Sequence, residues 1–135
     1  MKKRGERKNF LGIDFGTQYL GLAFSSGYLA EPLITLQFTN LQEVIAKLIK
    51  IIQKRRINKV IVGLPEGRLE RRIKSFTKEL RKLTSVPVAF VDETLTTYEA
   101  KKKMAEAGNS KFRKKRKEHE IAACLILQEY LETQN

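Results

Sequence analysis

The sequence predicts an α/β domain in which a mixed β-sheet carries helices on its faces. Three observations lead there. Two apolar runs, residues 10–15 and 19–25, are separated only by Gly16-Thr17-Gln18, as in a β-hairpin. Two later runs, KVIVGL at 59–64 and the stretch 87–91, are almost continuously apolar, as strands buried on both faces of a parallel sheet are. The intervening stretches repeat apolar residues every three or four positions, the period of an amphipathic helix.

Taken in order, residues 33–38 (LITLQF), entered through Pro32, form a third strand. Asn40 can cap the helix that follows, with Glu43 answering as in a capping box. Leu41, Val44, Ile45, Leu48, Ile49 and Ile52 give that helix an apolar face to about Arg56. Pro65 ends the fourth strand. A second helix over 66–83 carries Leu69, Ile73, Phe76 and Leu80 on one side and mostly bases on the other. After the fifth strand, Thr96 and Glu99 suggest a capping box for a helix to Ala107, stopped by Gly108-Asn109-Ser110. The basic stretch 111–117 reads as a loop. Residues 121–131 are apolar nearly all round, as a helix sunk deeply against the sheet would be.

The expected organisation is a flexible basic arm, residues 1–8, followed by one domain, 9–135. No apolar run approaches the roughly 18 residues of a membrane span. The basic start resembles a secretory leader, but Asp14 interrupts its apolar part and no small-residue cleavage site follows. A cytoplasmic protein is expected. The lone Cys124, in IAACLIL, excludes an internal disulfide framework and suits a small buried hydrophobe.

The net charge is +12, and the bases are segregated. Residues 1–8 hold five of them and residues 66–82 seven; Lys101, Lys102 and Lys103 add three and residues 111–117 six. Those four segments carry more net positive charge than the whole chain. That pattern suits a polyanion, with nucleic acid ahead of an anionic membrane surface.

Asp14 is the residue the strand pattern does not explain. A carboxylate inside a buried strand is costly unless something compensates it. It begins a turn at Phe15-Gly16, or it is neutralised, or it holds a cation. Asp92 and Glu93 end the last strand, where solvated charge is one reading. Glu118 and Glu120 bracket His119, the one histidine, at the expected start of the last helix. If the first and last strands lie near each other, these clusters converge. Carboxylates converging in this way need a hard, oxygen-preferring cation such as Mg²⁺ among them. Paired ions of that kind can activate water against a phosphodiester.

Together LGIDFGTQYLGLAFS (11–25), VIVGLPEG (60–67), VPVAFVDETLTTYEA (86–100) and IAACLILQEYL (121–131) resemble the YqgF/RuvX family, in order and over nearly the whole chain. The resemblance implies an RNase H-like fold: a five-stranded mixed sheet flanked by helices, its first strand beside the first of two parallel ones. It implies metal-dependent hydrolysis, with Mg²⁺ or Mn²⁺, of structured RNA such as the ends of an rRNA precursor, or of branched DNA as a Holliday junction resolvase. Carried over by position, Asp14 matches the family's first metal-binding aspartate and Glu93 the glutamate of its DER motif. Thr96 and Thr97 match the TT that follows. His119 falls where the family has aspartate, Thr94 where it has arginine, and the loop after VGLP is short. An imidazole suits Mn²⁺ better than Mg²⁺.

The expected catalytic and metal-binding set is therefore Asp14, Glu93 and His119. Lys111, Arg113, Lys114, Lys115, Arg116 and Lys117 would grip phosphates without reading bases. A second class of function is a catalytically lapsed RNA-binding module of the same fold. A third, a sugar-kinase-like ATPase suggested by GIDFGT, needs a second lobe that 135 residues do not supply. A monomer or weak homodimer, with no membrane partner, is expected.

Overall fold

A computed structural model of the chain describes residues 8–64, 69–92 and 111–134, with backbone only for Leu69 and for 111–117. The elements are β1 (Phe10–Phe15), β2 (Tyr19–Ser25), β3 (Glu31–Gln37), α1 (Leu41–Lys54), β4 (Lys59–Leu64), α2 (Leu69–Leu83), β5 (Val88–Asp92) and α3 (Lys111–Thr133). Thr96, Thr97 and the helix expected up to Ala107 lie outside the described residues, as does most of the 1–8 arm.

The sheet runs β3-β2-β1-β4-β5. β1 pairs antiparallel with β2 and parallel with β4, and β4 pairs parallel with β5. The expected hairpin and the two parallel strands are all present. β1 and β5 are not neighbours, however, because β4 lies between them. Strand alternation divides the side chains into two cores. Leu11, Ile13, Phe15, Leu20, Leu22, Val60 and Val62 meet the apolar stripes of α1 and α2. Phe10, Ala23 and Ile61 meet Ala123, Ile126, Leu127 and Leu131 of α3 on the other face. Within the first core Phe15 lies with ring centroids 5.0 Å from Phe76 and 6.0 Å from Phe38.

The Asn40 side chain accepts from the backbone N–H of Gln42 at 2.7 Å and of Glu43 at 3.4 Å, as an N-cap does. Asn40→Ala is expected to cost about 1 kcal/mol of stability, read as a lower urea midpoint at unchanged slope. α1 stops two residues before the expected Arg56. The N–H of Ile57 bonds the carbonyl of Ile52 at 2.9 Å and that of Arg56 the carbonyl of Gln53 at 3.2 Å, a Schellman closure. It places Arg56 at φ 52°, without the glycine that usually announces it. β3 begins at Glu31, two residues before the expected start, and so includes Pro32. A proline fits an edge strand, and the register shifts beside it, at Leu22/Ala23.

The largest departure is residues 111–117, expected as a loop. They are the first two turns of α3. Lysine and arginine are good helix formers, and a helix already held by its buried half extends at little cost. His119 is therefore well inside the helix, not at its start. The helix is also buried along one stripe, Ala122, Ala123, Ile126, Leu127 and Leu131, and not all round. Among the described residues no helix is long and apolar enough to cross a membrane.

Candidate active site

Asp14 is the fifth residue of β1, on the face that α3 covers. Only 6% of it is exposed. Its Oδ2 lies 3.0 Å from Nδ1 of His119. An ionised carboxylate can only accept, so Nδ1 carries the hydrogen, and in the neutral form of the ring Nε2 holds the lone pair. The imidazole is also stacked on Tyr19 from the start of β2, with centroids 5.5 Å apart and planes 21° from parallel. Carboxylate and phenol ring thus fix the tautomer and tilt of His119 from two sides.

Two glycines bring α3 this close. Gly21 is the register partner of Asp14, and a Cβ there would overlap the backbone carbonyl of His119. A Cβ on Gly12 would meet Leu127 Cβ at 2.8 Å and the Ala123 carbonyl oxygen at 2.9 Å. Bare backbone on the sheet therefore receives bare backbone from the helix. Tyr19 and Gly21 are not among the site residues expected from the sequence. The signal available was a glycine inside a strand, which often marks a close backbone approach.

The remaining acids divide. Glu120 turns toward the sheet edge, where its Oε2 accepts from the Thr35 hydroxyl at 3.1 Å, away from Asp14. Asp92 is exposed at the end of β5, and alternation puts it on the α1–α2 side with Val88. Glu93 lies outside the described residues. So do the side chains of Lys111, Arg113, Lys114, Lys115, Arg116 and Lys117, although their backbone is helical. Cys124 is a free thiol half-buried on α3. Burial pushes its pKa up to about 12, with Glu120 and Glu31 adding to the shift.

Among the described residues no group of three or more metal-ligating side chains is assembled. Asp14 nevertheless has the character of a cation ligand. It is buried, one oxygen is bonded to His119, and the other has no hydrogen-bond partner among the described residues. A buried carboxylate oxygen is costly unless a hydrogen bond or a cation completes it.

A five-stranded mixed sheet in this order, with a buried carboxylate on its central strand facing the C-terminal helix, defines an RNase H-like fold. The solved structure of T. thermophilus RuvC in complex with Holliday junction substrate shares it, with a TM-score of 0.62 at 17% identity, over 93% of this chain and 95% of that one. Residues 8–133 match the RuvX family model, described as Holliday junction resolvase, and the chain belongs to that family. Two curated relatives carry the name "Putative pre-16S rRNA nuclease". The protein of Moorella thermoacetica is 32% identical over 90% of this chain and 93% of its own. That of Caldanaerobacter subterraneus subsp. tengcongensis is 32% identical over 92% and 96%.

Proposed function

We propose that this protein is a divalent-metal-dependent nuclease that hydrolyses phosphodiesters in structured RNA and trims the ends of pre-16S rRNA in the cytoplasm, as a monomer or weak homodimer. The observation that carries the reading is Asp14: a buried carboxylate, half satisfied by His119, on the central strand of this fold. A bound Mg²⁺ or Mn²⁺ would supply the activated water and neutralise the charge that develops on the phosphate.

The protein's own part is positional. Asp14 supplies the free oxygen, and His119 presents Nε2 either as a further ligand or as the acceptor of the proton that the attacking water loses. Tyr19 holds the imidazole plane. Glu93 lies outside the described residues and is taken as the second acidic ligand on its match to the glutamate of the family's DER motif. The six bases of 111–117 occupy the two turns before His119, at about 1.5 Å of rise per residue. Phosphate-gripping residues and His119 thus share one rigid element, a stiffer arrangement than a basic loop gives.

The family description favours a second reading, cleavage of branched DNA. The test is direct. A pre-16S rRNA transcript and a four-way DNA junction are incubated with purified protein in Mg²⁺, in Mn²⁺ and in EDTA. Specific, EDTA-sensitive trimming of the transcript is expected. Junction resolution alone would favour the second reading, and no cleavage of either would leave a binding module. Because His119 stands where the family has aspartate, His119→Asp is expected to raise the ratio of the Mg²⁺ to the Mn²⁺ rate by about tenfold, through a harder ligand. An unchanged ratio would remove His119 from the metal's surroundings.

A further inference from the structure

The site described above lies on the α3 face of the sheet, yet much of the basic charge on described side chains lies on the other face. α1 and α2 both pack there, their apolar stripes turned into the first core. Outward they expose Lys47, Lys50 and Lys54 on α1 and Arg71, Arg72 and Lys78 on α2. Among the described residues, none of these six is in an ion pair. The two acids of α2 are already taken, Glu70 by Lys74 at 3.2 Å and Glu79 by Lys82 at 3.2 Å.

Spacing sharpens the point. Lys47, Lys50 and Lys54 recur at intervals of three and four, as do Arg71, Lys74, Lys78 and Lys82. Such positions are neighbours on a helix surface, and like charges there repel. α1 therefore presents a ridge of lysines, against its own stability, opposite its buried stripe, and α2 a ridge in which Glu70 and Glu79 offset Lys74 and Lys82 while Arg71 and Lys78 are in no ion pair among the described residues. Neighbouring helices on one sheet face lie about 10 Å apart, so the two ridges can follow separate stretches of one phosphate backbone.

We infer that the outward face of α1 and α2 is a second phosphate-binding surface, which holds the backbone of structured RNA on the side of the sheet away from Asp14. It rests on the nucleic-acid reading above but not on cleavage. The whole sheet separates this face from Asp14, so the strand being cut and the phosphates held here belong to different parts of a folded RNA. The six side chains contact backbone only and carry no base code. An anionic membrane is the weaker match. Between the bases the exposed positions include Ala46, Gln53 and Ser75, and the one large apolar side chain that the described parts of the two helices expose, Leu83, stands at the end of α2, short of the apolar face that an interfacial helix inserts.

The test measures binding of a fluorescein-labelled RNA duplex to the full chain in EDTA, across a range of salt. Lys50→Gln/Arg71→Gln/Lys78→Gln is expected to weaken binding at least about tenfold at physiological salt and to flatten the slope of log K against log salt by about two to three. Its urea midpoint should not fall. Lys50→Arg/Lys78→Arg, which keeps the charges, should bind like the unmodified chain. Unchanged affinity and slope in the triple variant would overturn the inference. So would loss of binding to phosphatidylserine vesicles with RNA binding intact. A lost slope in a protein that cleaves nothing would support this surface while ending the nuclease reading; cleavage with an unchanged slope would do the reverse.

Discussion

Asp14→Asn is expected to abolish cleavage, by at least about a thousandfold or about 4 kcal/mol of transition-state stabilisation, while the protein stays folded and binds RNA as before. The substitution is isosteric. The asparagine oxygen can still accept from Nδ1 of His119, so the stack on Tyr19 and the seat of α3 survive. What disappears is one negative charge at a buried position. In the metal-free protein that charge is a burden, so the variant should be at least as stable as the parent. With Mn²⁺ present the order reverses. The parent gains melting temperature by linkage to the ion, and the variant does not. Single-turnover cleavage, RNA anisotropy and melting with and without Mn²⁺ check the three parts separately. Cleavage within a few-fold of the parent would remove Asp14 from the chemistry. A parent that Mn²⁺ does not stabilise would remove the metal from Asp14.

Gly21→Ala has the second large expected effect, on stability as well as activity. The added Cβ would overlap the backbone carbonyl of His119 and lie 2.7 Å from its Cβ. Those are atoms of a helix backbone, which cannot rotate aside as a side-chain tip does. α3 must lift, and Ala123, Ile126 and Leu127 lose part of their contact with the sheet. Overpacking of this kind costs about 3 kcal/mol, a large share of a domain stability of about 5–15 kcal/mol. The same lift moves the imidazole away from Asp14, so cleavage should fall further than the unfolded fraction accounts for. Urea unfolding beside single-turnover rates measures both. An unchanged midpoint would mean that strand and helix are not in backbone contact at Gly21.

The strands and α1 were readable because their signals are local. Alternation, continuous apolar runs, the Asn40 cap and three-to-four spacing all lie within one element. The helix over 111–117 is not legible in the sequence because that segment has no apolar period. Its helicity comes from continuity with the buried half of α3. The two-residue overrun of α1 has a similar origin: the backbone bonds of Arg56 to Gln53 and of Ile57 to Ile52 hold Arg56 in a left-handed conformation, not a residue type that favours it.

For the site, sequence alone singled out Asp14 as a carboxylate without a local explanation, and His119 by its position in the family pattern. It also established the segregation of charge, because charge is a property of the residues themselves. Tertiary structure decided which residues meet. It brought His119 and Asp14 to 3.0 Å across 105 positions of chain, placed Tyr19 against the imidazole, and sent Glu120 to Thr35 and Asp92 to the opposite face. It also put α1 and α2, with their exposed bases, on the same face of the sheet. Periodicity fixes which face of an element a side chain occupies. Which element covers that face, and how closely, depends on chirality, strand order and the two glycines under α3, and these act only once the chain has closed on itself.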